Sequence, residues 1–428
     1  MIYHFIPNKS TFSWRLERQI ARHRVHKFWE IASSSGQPSS ISHPQLGRTI
    51  TNKINYSSCR IMTNCGSGLG HHELRARLAV VGDVHDHWGE EDELALKYLD
   101  PDAVVFVGDL GNENVSLVEE IAKSTRDKIF ILGNHDAWYS LTTRGRNRAI
   151  KMALSSSSLS NFTSNVDRIQ ESLDLLGTRH VGYSSLPMKE LGLAFVGGRP
   201  FSKGGAEWVQ VADFYDKYYG IKSFEDSTNK ILEHLLHPGN DGLGKVVVAH
   251  NGPAGLGCKQ EDPCGIDFME PADDFGDPDL EEALEICNGC NNPASLVLFG
   301  HMHHTLKKGG FRNMVDIHEI SGTVYLNAAV VPRVKTIKKH KREGLDSAHR
   351  ARHFLMVEMV DGVVWEAKNV WVSVEHGKLP GTAEVVDEQI IFKRALSEDG
   401  NSTVVNYYKA HTDSWDVKVI MNGQETIH

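Results

Sequence analysis

Five times along this chain a short apolar run stops at a glycine or alanine and hands over at once to Asp, Asn or His, and no other feature constrains the fold as tightly. The runs are Leu78–Val81 into Gly82-Asp83-Val84-His85, Ala103–Val107 into Gly108-Asp109, Lys128–Leu132 into Gly133-Asn134-His135-Asp136, Lys245–Val248 into Ala249-His250, and Ser295–Phe299 into Gly300-His301-Met302-His303. Short apolar runs bounded by Gly read as buried strands. Helical patterns lie between them, at Glu90–Leu99, Val115–Lys123 and around Ile231–Leu236. Alternating strand and helix is the pattern of an α/β domain, whose functional residues collect where the strands end. In an extended chain residues i and i+2 point to one side, so Asp83 and His85 face the same way.

The rest of the chain fills in around that frame. Residues 140–180 read as a helical insertion: Ser155–Ser158 is a polar loop, and Val166, Ile169, Leu173 and Leu176 recur at amphipathic-helix spacing. Leu193–Val196 and Val324–Leu326 are further strands, and Asp361-Gly362 between Phe354–Val360 and Val363–Val374 marks a β-hairpin. The expected organisation is a main domain over 73–375 ending in a β-rich C-terminal extension, then a polar tail over 376–428.

Composition bounds the class. At 428 residues, 40% apolar and 24% charged, the chain has the make-up of a soluble globular protein, and no run nears the ~18 apolar residues of a membrane span. Residues 1–72 hold only Glu17 and Glu30 as acids against nine Lys and Arg, with many Ser. Without them the net charge moves from −9 to −16 (37 basic against 53 acidic side chains). Such an Arg-bearing, Ser-rich, acid-poor segment has the composition of an organelle transit peptide, and Arg15 to Ile31 suits a basic amphipathic helix. Six cysteines are too few for a disulfide scaffold. Cys258, Cys264, Cys287 and Cys290 have spacings of C-x5-C and C-x2-C, and reduced thiols are expected there in preference to a zinc site.

The strand ends collect Asp83, His85, Asp109, Asn134, His135, His250, His301 and His303. One such residue alone is ordinarily a cap or a turn residue. Eight in register call for another explanation. Carboxylate, imidazole and amide donors together suit Mn, Fe or Zn. A carboxylate can bridge two ions ~3.5–4 Å apart, and water shared by two ions loses a proton easily, which is chemistry for phosphoester hydrolysis.

In order and spacing the five blocks resemble those of the calcineurin-like metallophosphoesterases, over roughly residues 74–330. The resemblance implies two facing mixed β-sheets flanked by helices, with two divalent metal ions (Mn, Fe or Zn) at the strand ends. It implies Asp83, His85 and His303 on one ion, Asn134, His250 and His301 on the other, and Asp109 bridging them. His135 is then a catalytic residue giving a hydrogen bond or proton to the phosphoryl or leaving oxygen, and Asp136 orients its ring. The implied reaction is in-line attack of a metal-bridging hydroxide on a phosphomonoester or phosphodiester. The alternative is a catalytically silent scaffold of the same fold that binds a protein partner; a full ligand set with His135 present argues against it. His87 and His304 stand beside the blocks but outside the pattern, as supporting or surface residues.

Substrate class is narrowed less sharply. Protein phosphatases of this superfamily follow their second block with Val-Asp-Arg-Gly, whose Arg grips phosphate; here Leu110-Gly111-Asn112-Glu113 stands instead, leaving Arg199 as a candidate substitute. The acidic balance beyond residue 72 argues against a long nucleic acid and leaves a phosphorylated small molecule or nucleotide. The basic run Arg333 to Arg342 reads as a solvated loop or as a clamp for an anionic substrate. His250-Asn251-Gly252-Pro253, Glu261-Asp262-Pro263-Cys264-Gly265 and Gly276-Asp277-Pro278-Asp279-Leu280 resemble a subfamily shared by cyanobacteria and plant plastids. That resemblance favours a chloroplast address over a mitochondrial or cytoplasmic one. Asp277-Pro278 also reads as the N-cap and first turn of a helix over Leu280–Ile286.

Overall fold

Strand β1 (Arg75–Val81) shows how the apolar runs are used. Leu78 and Val80 join the core between two sheets, Ala79 and Val81 join the core on the sheet's other face, and all four are buried. A strand covered on both faces needs an unbroken apolar run. The structure is a computed structural model that describes residues 73–123, 127–155, 167–337, 349–374, 383–396 and 402–421. The expected transit segment 1–72, Val166, Ser156 to Ser158 and Lys338 to Arg342 of the basic run lie outside the described residues.

After β1 comes α1 (Glu90–Leu99). Its first-turn acids Glu90, Glu91, Asp92 and Glu93 sit at the positive end of the helix dipole, and the Gly89 amide donates to Asp92 Oδ2 at 3.0 Å. Strand β2 (Ala103–Phe106) lies parallel to β1, with Leu78 beside Ala103 and Val81 beside Phe106. Helix α2 (Val115–Ala122), capped by Asn114, leads to β3 (Lys128–Phe130), parallel to β2. The expected insertion is α3 (Thr143–Ser155) and α4 (Arg168–Leu176); Ile169 and Leu176 are buried and Leu173 packs against the same core.

The second half builds a second sheet. Strand β4 (Ser185–Met188) pairs antiparallel with β5 (Leu193–Gly197), and α5 (Ala212–Tyr219) and α6 (Phe224–Leu235) lead to β6 (Gly244–Val248). Helix α7 (Pro278–Gly289) leads to β7 (Leu296–Phe299), and β8 (Val315–Ile317) and β9 (Val324–Asn327) complete a mixed sheet ordered β4-β5-β6-β7-β9-β8. The chain then returns to the first sheet with β10 (Val334–Ile337), β11 (His349–Val360) and β12 (Val363–Val374), and β11 lies antiparallel to β1. The hairpin expected at Asp361-Gly362 joins β11 to β12.

Where a polar tail was expected over 376–428, the chain adds β13 (Ala383–Leu396), β14 (Ser402–Lys409) and β15 (Ser414–Met421), all antiparallel. The first sheet therefore runs β15-β14-β13-β12-β11-β1-β2-β3, with β10 on β11. Along β14 only Thr403, Val405 and Tyr407 are buried, every second residue. A strand wet on one face has half the apolar content of β1, which is why its sequence reads as polar. Leu78, Val80, Val105 and Ile131 meet Phe195, Val246, Leu298 and Leu326 between the sheets, and helices cover the outer faces. Among the described residues no helix is long and apolar enough to cross a membrane.

Candidate metal centre

All five blocks reach one place, because β1, β2 and β3 of one sheet and β6 and β7 of the other end at the same edge. Four of the side chains gathered there need a left-handed backbone: Asp83 (φ 39°), His85 (45°), Asp109 (53°) and His301 (67°). That conformation costs of order 1 kcal/mol for a residue with a Cβ, and it concentrates where side chains must be aimed rather than packed.

Crowding selects the glycines. A Cβ on Gly133 would stand 2.3 Å from Asp109 Oδ1 and 2.6 Å from His250 Cε1. Gly108 combines φ +100° with a would-be Cβ contact of 2.5 Å to His250 Nδ1. Both blocks need glycine because a ligand from another strand end occupies the space.

The polar atoms converge. Asp83 Oδ1 accepts from the His301 amide at 3.1 Å. Its buried Oδ2 accepts no well-aligned hydrogen bond among the described residues, and it lies 3.2 Å from His303 Nε2 and 3.8 Å from His85 Nε2. The two imidazole nitrogens are themselves 3.3 Å apart. Asp109 Oδ1 is 3.2 Å from His250 Nε2 and accepts from the His135 amide at 2.8 Å. Asp109 Oδ2 reaches 4.0 Å from His85 Nε2 and 3.9 Å from His135 Nε2. Asn134 Oδ1 lies 3.0 Å from His250 Nε2, and His250 Nδ1 donates to Val107 O at 2.7 Å, which leaves Nε2 as the inward nitrogen.

Three groups of ligand atoms fall within 4.8 Å of one another: Asp83, His85 and His303; His85, Asp109 and His135; and Asp109, His250 and His301. Asp109 is shared between the last two, and Asn134 adds its amide oxygen beside His250. Buried carboxylate oxygen beside several imidazole nitrogens is a donor set that fits divalent cations.

Electrostatics agree with that fit. Burial opposes ionisation of Asp109, but the facing His250 outweighs it and holds the carboxyl well below the usual range. Burial likewise opposes charge on His250, and Asp109 outweighs it, raising that imidazole to about 9. His301 behaves oppositely: burial, then repulsion from His250, pushes it down to about 3. The carboxylates favour positive charge on His250 and His303, while His301 is kept neutral.

Several expectations are corrected by the contacts around these residues. Asp136 does not orient the His135 ring. Its Oδ1 accepts from the Leu110 and Gly111 amides at 3.0 and 3.2 Å and its Oδ2 from the Gly133 amide at 2.7 Å, so it braces the loops. Burial, then the charge of Asp109, raises it to about 7. The ring partner is Asn112, whose Oδ1 is 2.7 Å from His135 Nδ1, a residue visible in the sequence only as part of the missing Val-Asp-Arg-Gly segment. Trp138 is the other residue that sequence reasoning passed over: it stacks on His135 with ring centroids 4.3 Å apart and planes 21° apart.

Nor does Arg199 substitute for the phosphate-gripping arginine. It is buried, with Nη2 2.7 Å from Asp277 Oδ1 and Nε 3.0 Å from Asp279 Oδ2. Asp277 does stand at the N-cap of α7 ahead of Pro278, but its carboxylate serves Arg199 and Ser202 and caps nothing. Arg333, at the head of the basic run, is no clamp either: it donates to Asp92 Oδ1 at 2.7 Å and His87 O at 2.9 Å, packed between Trp88 and Phe354. His87 itself is exposed, and the His304 ring stacks on Phe311. Cys258, Cys264, Cys287 and Cys290 are free thiols, and among the described residues no metal-competent group contains a cysteine.

A family model described as calcineurin-like phosphoesterase matches residues 76–305, more than half of the 428 residues. The chain belongs to that family. Among solved structures, a dimetal phosphatase from Danio rerio aligns at 12% identity and a TM-score of 0.27, over 67% of this chain and 98% of its own. Another aligns at 9% identity and a TM-score of 0.36, over 67% and 97%. No curated protein sequence matches the chain.

Proposed function

We propose that this chain is a dinuclear metal-dependent phosphoester hydrolase acting on a phosphorylated small molecule or nucleotide. The observation that carries this reading is that buried Asp109 groups with His85, a member of the Asp83 and His303 group, and also with His250 and His301. Asp83, His85 and His303 would hold one ion, Asn134, His250 and His301 the other, and Asp109 both. Ions bound there supply Lewis acidity, neutralising phosphoryl charge and lowering the pKa of water. The chain's own groups do the positioning. Asn112 accepts the Nδ1 proton of His135 and turns Nε2 toward Asp109, where the ring donates to a phosphoryl or leaving oxygen only when it carries a second proton, on Nε2. Asp136 ties the Asp109 loop to the Asn134 loop, so bridging carboxylate and His135 keep one spacing.

The test is turnover of p-nitrophenyl phosphate and of its bis ester by the full chain loaded with Mn²⁺, beside Asp109→Asn. Turnover by the wild type that vanishes in the variant supports the reading; silence on both esters with two ions bound opposes it. The ratio of the two rates separates monoesterase from diesterase. From the acid-poor composition of residues 1–72 we also propose a plastid address, which an intact Met1 on protein taken from its native cells would refute.

A further inference from the structure

We propose that the exposed face of α3 is a second anion subsite beside the metal centre, and that the substrate carries another phosphate beyond the one cleaved. The proposal rests on the phosphoesterase reading and names a substrate class for it. Residues 137–166 follow the His135 block directly and contain Arg144, Arg146, Arg148 and Lys151 with no Asp or Glu, in a chain whose net charge is −9. One of these cations is committed to the fold: Arg146 donates to Ser140 O at 3.0 Å and to Thr143 Oγ1 at 2.9 Å. The other three fall at i, i+4 and i+7, one face of the helix and a ridge ~10 Å long. All three are exposed, and among the described residues none has an acidic partner.

The ridge is fixed to the centre by close contacts. A Cβ on Gly145 would stand 2.8 Å from Trp138 O, so the first turn of α3 is seated on the loop carrying His135. Trp138 stacks on His135, and the Arg148 guanidinium carbon lies 5.9 Å from the Trp138 ring centroid. An arginine laid along an aromatic ring keeps its planar fork of donors extended, the geometry that pairs with phosphate. From Asp109 through His135 and Trp138 to Arg148 the path is unbroken. Arg199 and Arg333 have spent their charge on buried carboxylates. The α3 cations remain available at the mouth of the centre.

The test uses hexylphosphonate and hexane-1,6-bisphosphonate, which differ by one anionic group, are flexible enough to reach the ridge and have no ester bond to hydrolyse. Calorimetric titration of the full Mn²⁺-loaded chain is expected to show the bisphosphonate binding about tenfold tighter. In Arg144→Gln/Arg148→Gln that preference should fall toward one. Equal affinities in the wild type, or a preference untouched by the double substitution, would overturn the proposal. A chain that keeps the preference but never turns over p-nitrophenyl phosphate sinks the hydrolase reading and leaves the subsite standing. Turnover without preference does the reverse.

Discussion

Asn112 Oδ1 stands 2.7 Å from Nδ1 of His135, while Asp136, the next residue in the chain, turns its carboxylate toward three backbone amides instead. The amide oxygen holds one ring proton and so leaves the inward nitrogen for chemistry. Asn112→Ala should lower kcat for p-nitrophenyl phosphate about 10- to 100-fold with bound metal unchanged, read by steady-state kinetics and elemental analysis. His135→Ala should cost about 10²- to 10⁴-fold.

Asp83 and Asp109 repel each other across a buried site, and a cation relieves that repulsion. Mn²⁺ in hundredfold excess over its Kd should raise the wild-type melting temperature by roughly 4 °C. Chelation should reverse the rise and end turnover. In Asp109→Asn the melting temperature should scarcely respond to Mn²⁺.

Gly133→Ala tests crowding rather than charge. Its methyl group cannot coexist with Asp109 Oδ1 at 2.3 Å, so the bridging carboxylate or His250 has to move. We expect a loss of about 1–3 kcal/mol in urea denaturation, with metal stoichiometry below two.

Arg199 neutralises two buried carboxylates. Arg199→Met should destabilise the fold by about 3–5 kcal/mol, because Asp277 and Asp279 are left without a counter-charge. The KM for p-nitrophenyl phosphate in the folded fraction should not change; a large rise would return Arg199 to the substrate.

His353 gives the fold an acid sensitivity that lies outside the ligand set. Burial, then the nearby Arg333, holds its imidazole down at about 3, against 6.5 for the free side chain, despite its hydrogen bond to Asn369. Between those values the unfolded chain carries a proton that the folded chain refuses. The stability is complete above pH 6.5 and is lost as pH falls toward 3, by about 1.4 kcal/mol per unit. From pH 7 to pH 5 the wild type should lose about 2 kcal/mol more than His353→Gln, measured by urea denaturation at each pH.

The five strand-end blocks were legible in the sequence because strands buried on both faces leave unbroken apolar runs, and because Gly108 and Gly133 are dictated by crowding at the site. Contacts between loops were not. Asp136 is adjacent to His135 in sequence, but a 3₁₀ turn over His135–Ala137 points the two side chains apart, and Asn112 reaches the ring from another strand end. Arg199 looked available because its partners lie near residue 278, on a different element. Strands β13 and β14 hid for a thermodynamic reason: β14 buries only alternate residues and β13 only Ile391 and Phe392, so neither needs an unbroken apolar run like that of β1.

Both candidate ion pockets draw on both sheets. Asp83 and His85 follow β1 and Asn134 follows β3, whereas His250 follows β6 and His301 and His303 follow β7. The donors therefore act as a caliper on the gap between the layers. A core substitution that slides one sheet by an ångström misaligns both pockets together, however far from them it lies. Residues such as Phe195 and Leu298, in the core between the sheets, then help set how tightly the ions are gripped, and a screen for altered metal affinity should recover them alongside the ligands.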